Sequence, residues 1–163
     1  MRGPGLPGEV EYVHATSIAI GSLGALIRGP SGSGKSDLAL RCLALSPSAL
    51  LRDVVRLVAD DQVLLRRETA RLVATAPTAL RGRLEVRGVG ILQVAAASEA
   101  DIILVADLVG EVPIERLPDP WPKAHIMGFE VPLIRLRPFE GSAPAKLVAA
   151  LVMAALPRVE SKA

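Results

Sequence analysis

The sequence predicts a single α/β domain, and three observations lead there. Short apolar runs bounded by turn residues alternate with two stretches of helical periodicity, one after Lys35 and one after Pro144. A glycine-rich segment, residues 29–34, lies between a strand-like run and the first of those helices. Half of the 163 residues are hydrophobic and the mean hydropathy is +0.40, enough for one buried core. Aromatics are only 2% (Trp121, Tyr12, Phe129 and Phe139), so aliphatic side chains must fill that core.

Residues 1–9, MRGPGLPGE, lack the apolar stretch of a signal peptide and read as a flexible tail. Residues 10–14, 17–20 and 25–28 read as short strands, broken by a glycine turn over 21–24. From Lys35 to about Leu45, the spacing of Leu38, Ala39, Cys42 and Leu45 predicts a helix with Cys42 in the core, and Ser46-Pro47-Ser48 stops it. Residues 56–59 form an apolar strand ending in Asp60-Asp61, and 62–66 read as its continuation or hairpin partner. Residues 71–75 suggest a further strand and 76–82 a turn or helical crossing. With Gly88 and Gly90, residues 85–94 suit a bent strand or tight loop. Residues 102–106 read as a buried strand, and 110–123, with four prolines, as an irregular loop to which His125 is also assigned. Residues 131–136 form a last strand, Pro144 opens a helix that runs to Leu156, and 157–163 form a second tail. Residues 10–156 thus make up the predicted domain.

Composition removes several function classes. Nineteen basic against seventeen acidic residues leave a net charge of +2, too near balance for a polyanionic partner despite a pI of about 9.0. Scarce aromatics argue against base-stacking nucleic-acid binding. A single cysteine rules out an intrachain disulfide and a cysteine-based metal cage, and suits a reducing compartment. No run reaches the roughly 18 apolar residues of a membrane span, so neither nucleic acid nor membrane is expected as a partner. The cytoplasm is the expected location.

Gly29-Pro30-Ser31-Gly32-Ser33-Gly34-Lys35-Ser36 matches the phosphate-loop pattern G-x-x-x-x-G-K-[ST] in full, after a strand and opening a helix. Its backbone N–H groups and the helix N-terminus suit phosphates, its lysine the outer phosphates, and the Ser36 hydroxyl a magnesium ion. The motif therefore predicts a nucleoside triphosphate and is silent about the acceptor. Two strands, ending at Asp60 and Asp107, offer a second acidic group. The pair Asp60-Asp61 favours the first, since successive strand residues point oppositely. Asp60 is taken to face the site while Asp61 holds the loop.

Beyond this motif, the chain resembles the catalytic domain of the bacterial HPr kinase/phosphorylase family. His14 stands 15 residues before Gly29, Leu57-Val58-Ala59-Asp60-Asp61 matches a "LVADD" block, and Leu84–Ile91 reads LEVRGVGI against the signature "LEIRGLGI". Val131-Pro132-Leu133 and Arg137-Pro138, before a helix over 145–156, are similar to the family's last strand and loop. The resemblance implies a phosphate-loop kinase domain with a mixed sheet, similar to the nucleotide-binding cores of HPr kinase and phosphoenolpyruvate carboxykinase. It implies ATP and Mg2+ as cofactors, and phosphorylation of a serine of the phosphocarrier protein HPr in control of the phosphotransferase system and carbon metabolism. It further implies a homo-oligomer, hexameric in the family. Site residues carry over as Lys35 on the phosphates, Ser36 and Glu85 as metal ligands, and His14 beside the transferring phosphate. Asp60 becomes the base towards the acceptor (and the acid in reverse), and Arg116 in Glu115-Arg116-Leu117 the catalytic arginine.

The chain departs from the family pattern in three places. Only a short tail precedes His14, where most members carry a separate N-terminal domain, so the shorter alphaproteobacterial form is the expectation. The stretch between Glu85 and Arg116 is shortened. The family's "RPGRN" loop, tied to phosphorolysis, here reads Arg137-Pro138-Phe139-Glu140-Gly141-Ser142, and a weak reverse reaction is expected. Two other functions fit the phosphate loop: a metabolite kinase or nucleotide hydrolase, and a non-catalytic nucleotide sensor.

Overall fold

The protein is described by a computed structural model over residues 8–157; the predicted tails fall outside the described residues at 1–7 and 158–163. Gly8 and Glu9, assigned to the first tail, are already fastened to Arg67 by backbone hydrogen bonds of 2.8 and 2.9 Å.

Period-two alternation in the strands divides the core between two faces of one sheet. In β2 (Thr16–Ile20), β3 (Leu23–Arg28), β4 (Val55–Ala59) and β9 (Ala100–Leu108), the residues Ile18, Ala25, Ile27, Leu57 and Leu104 enter one apolar cluster. Their neighbours Ala19, Leu26, Val58 and Val105 enter the other. The first face is covered by α1 (Lys35–Leu43), through Leu38, Ala39 and Cys42, and by α2 (Ala143–Ala155), through Leu147, Val148 and Leu151. The second is closed by strands instead: β5 (Gln62–Arg67), β6 (Leu72–Thr75), β10 (Lys123–Ile126) and β11 (Phe129–Leu136) supply Val63, Leu65, Leu72, Ala124 and Val131.

These strands form a mixed nine-stranded sheet with β1 (Val10–His14) and β4 as outer strands of the order β1-β5-β6-β9-β3-β2-β4. β3 and β11 both run parallel to β9, so the ends of β11, β9 and β3 lie side by side. β2 returns antiparallel on β3, pairing Thr16 with Ile27, and β4 pairs on β2. The strand order at this end is therefore β11-β9-β3-β2-β4, with the glycine-rich loop leaving from the middle.

Three elements differ from the sequence reading. Residues 85–94 belong to a separate two-stranded hairpin, β7 (Arg83–Val86) and β8 (Gly90–Gln93). Gly88 and Gly90 reverse the chain there at φ of 80° and 133°, a region closed to most side chains. His125 lies in β10, not in a loop. Its hairpin turns on Met127-Gly128, both at positive φ, a turn that ordinarily carries Asn-Gly and so went unread. Residues 62–66 are neither a continuation of β4 nor its partner: β5 pairs with β1 and β6.

Candidate active site

The cleft is built around the end of β3. Its last residue, Arg28, grips Asp107 at the end of β9 with two hydrogen bonds of 2.7 and 2.9 Å. Asp107 is thus paired at the end of β9 and is not among the residues that line the cleft. The chain then turns through residues 29–34 into α1. Gly34 caps the helix at φ 97°, and no side chain bonds to the helix's first N–H groups. A side chain here would be strained by the backbone and would press on Phe139, whose Cζ would lie 3.0 Å from a Cβ. An uncapped helix N-terminus opening on a glycine loop is a natural anion site. Beneath it, the buried Ser33 hydroxyl has no hydrogen-bond partner.

Lys35, 6% exposed, folds over the loop and donates from Nζ to the carbonyl oxygens of Gly29 and Pro30 at 2.8 and 2.9 Å. Burial pulls its pKa below the usual 10.5, against the opposing pull of Asp61 and then Asp60.

Asp60 is the buried hub. Its Oδ1 accepts from Thr16 Oγ1 at 2.9 Å and from Ser36 Oγ at 2.7 Å, and its Oδ2 from the Glu85 backbone N–H at 3.2 Å. One carboxylate thus ties together β2, α1, the end of β4 and the hairpin strand β7. Both of its oxygens are engaged and the residue is 6% exposed. Asp61 occupies the tight turn that follows, at φ 63°, with an exposed carboxylate 3.2 Å from His14 Nδ1. The antiparallel register brings this about, because His14 pairs with Gln62, next in the chain to Asp61. The geometry reverses the expected division of labour: Asp60 holds the loop and Asp61 faces the cleft. Strand alternation fails as a guide because Asp61 is a turn residue and not a strand residue.

The resulting cleft has a volume of about 410 Å³. It gathers His14, Ser31, Gly32, Gly34, Lys35, Ser36 and Glu85 from the expected set, with Asp60 directly behind Ser36. Gly29, Pro30 and Ser33 are absent from its lining. Arg116 does not join them; it is exposed in the stretch after β9. Asp61, Arg87 and Phe139 line the cleft without having been singled out for it. Arg87 follows from its position two residues after Glu85 on a hairpin. Phe139 has no local signal, since a loop after β11 brings it to Gly34.

Arg137 is held through its two Nη atoms: Nη2 donates to Val112 O at 3.0 Å and Nη1 to Glu140 at 3.4 Å, while its buried Nε has no partner. Glu140 also accepts from Lys146 at 2.6 Å, and that hydrogen bond, before its other causes, holds its carboxyl below the usual range. Among the described residues no group of three or more His, Cys, Asp or Glu side chains could hold a metal ion unaided. Ser36 and Glu85 both border the cleft, and their hard oxygens fit a magnesium ion that completes its shell with water and phosphate. No helix among the described residues is long and apolar enough to cross a membrane.

Residues 8–162 match the family model described as HPr Serine kinase C-terminal domain. An HPr kinase/phosphorylase of Limosilactobacillus reuteri is 33% identical over 133 residues, covering 75% of this chain and 39% of the relative. One from Lactiplantibacillus plantarum is 33% identical over 156 residues, covering 89% and 47%. The chain thus spans less than half the length of these curated relatives. The solved structure of the Hpr(Ser) kinase/phosphatase from Coxiella burnetii superposes with a TM-score of 0.70 at 26% identity, covering 88% of both chains.

Proposed function

This chain belongs to the HPr serine kinase C-terminal domain family, and on that premise we propose that it is an ATP-dependent serine kinase whose acceptor is HPr. Its setting is the cytoplasm, in control of the phosphotransferase system and carbon metabolism, as a homo-oligomer of six copies. The observation that carries this reading is one cleft holding both a phosphate loop and, beside it, the His14–Asp61 pair. A bare phosphate-binding module needs the first and has no use for the second. A non-catalytic sensor would likewise have no use for that pair, and the family match favours a protein acceptor over a metabolite.

In this reading Lys35 exchanges the carbonyls of Gly29 and Pro30 for phosphate oxygens, and its ammonium offsets their charge. Asp60 orients the Ser36 hydroxyl, and Glu85 extends the oxygen set. Mg2+ held by Ser36 and Glu85 would supply charge neutralisation at the outer phosphates. The base assigned to Asp60 passes to Asp61, whose exposed carboxylate can accept the serine hydroxyl proton from a docked protein. His14, at 3.2 Å, orients that carboxylate. Arg116, exposed after β9 and outside the cleft lining, is given no role in this set.

The test is direct: the purified chain is incubated with ATP, Mg2+ and HPr, and HPr is weighed intact. Phosphoserine on HPr is the expected result. Nucleotide turnover with HPr unmodified would overturn the assignment in favour of a small-molecule acceptor.

A further inference from the structure

Resting on the reading that this cleft holds ATP, we infer that Phe139 is the seat of the nucleobase. The ring is 73% exposed, in a chain with only four aromatic residues, and it borders the cleft beside Leu40. Its edge lies against Gly34, where a Cβ would meet Cζ at 3.0 Å and Cε1 at 3.1 Å. An apolar ring left in water at the mouth of a polar cleft gains free energy when a flat ligand covers it.

Its place in the sheet says which part of the nucleotide meets it. The phosphate loop leaves from β3, the middle of the strand order β11-β9-β3-β2-β4. Asp60 and Asp61 follow β4, two strands to one side, and with His14 they mark the end where phosphate is transferred. Phe139 follows β11, two strands to the other side. Both reach back to the loop from opposite flanks, Asp60 to Ser36 at 2.7 Å and Phe139 to Gly34. A triphosphate whose outer end points at Asp61 must send its base towards Phe139.

The ring is also held in place before any ligand arrives. Arg41 of α1 donates to the carbonyl of Pro138 and, at 3.4 Å, to that of Glu140, so both chain neighbours of Phe139 are tied to the helix that the phosphate loop opens. Glu140 is fixed in turn by Lys146 of α2. Such anchoring lowers the ordering cost of a stacking contact. A phenyl ring offers area and no hydrogen bond, so it recognises a base by its face and not by its edge.

The test separates base from phosphate. Calorimetric titrations with Mg-ATP and with Mg-tripolyphosphate are compared for the wild type, Phe139→Ala and Phe139→Trp. Phe139→Ala should weaken Mg-ATP by roughly ten- to a hundredfold, the worth of a stacked base, and leave Mg-tripolyphosphate unchanged. Phe139→Trp should bind Mg-ATP at least as well as the wild type. Equal weakening of both ligands would overturn the inference and assign the ring to supporting the loop. Unchanged Mg-ATP binding would overturn it too, since the base would then make no use of the ring. The titrations contain no HPr, so the base seat and the choice of acceptor stand or fall separately.

Discussion

Separate replacements of Asp60 and Asp61 should differ sharply in their effect on stability. In Asp60→Ala, three donors lose their acceptor: Thr16 Oγ1, Ser36 Oγ and the Glu85 N–H. Thr16 is fully buried, and stranding its hydroxyl costs about 1–3 kcal/mol. Ser36 and Glu85 border the open cleft and regain water, at about 0.5 kcal/mol each. The sum is about 3 kcal/mol, which at about 2–4 °C per kcal/mol lowers Tm by roughly 6–12 °C. Asp61→Asn should behave otherwise. The His14–Asp61 pair is half exposed or more on both sides, so losing its charge costs at most about 1 kcal/mol. Asparagine also tolerates the left-handed backbone at φ 63°, which makes it the better substitution than alanine. Yet phosphoryl transfer should fall by about two orders of magnitude or more with loss of the base. Thermal melts and HPr phosphorylation rates on the two purified variants decide the matter. If Asp60→Ala melts like the wild type, or if Asp61→Asn turns over normally, the assignment of hub and base is wrong.

Nucleotide affinity should depend on pH through Lys35. Its pKa is lowered in the free chain, and bound phosphate favours the charged form and raises it, so affinity is complete below the free-chain value and declines as pH rises through it. The decline should therefore set in below pH 10.5 and reach at most about tenfold per unit; an affinity flat to that pH would contradict it. The reverse reaction should be slower than the forward one, because Glu140 occupies Arg137. Glu140→Gln should raise pyrophosphate release from phosphoserine-HPr at millimolar phosphate by about two- to fivefold. No gain would show that Arg137 does not limit phosphate binding.

What the sequence made legible is what local rules determine. The phosphate loop, the apolar face of α1 with Cys42 fully buried, and the strand leading to Asp60 all follow from spacing. Between the two strand ends spacing alone is undecided, and the structure adds what spacing lacks: Arg28 pairs with Asp107, while Asp60 lies behind Ser36. The assignment within Asp60-Asp61 failed because the chain leaves strand geometry between the two residues. Phe139 was invisible for a different reason. Its position depends on Arg41 gripping a loop almost a hundred residues away, an arrangement no window of sequence contains. Arg116 could be named from a three-residue likeness, but its exposed loop carries no information on where the side chain goes.

The location of β1 has a consequence for how the protein can fail. Among the described residues it is an outer strand, laddered on β5 alone, and His14 is its last residue. Outer strands are the first to fray, whereas β3, which launches the phosphate loop, is hydrogen-bonded on both sides. A slip of one residue in β1 would carry the imidazole about 3.4 Å along the strand and onto the opposite face, away from Asp61. Under the proposed function, such a slip would stop transfer while leaving the grip on triphosphate intact. Occupancy and turnover would then be separable, and a chain saturated with nucleotide would be chemically silent.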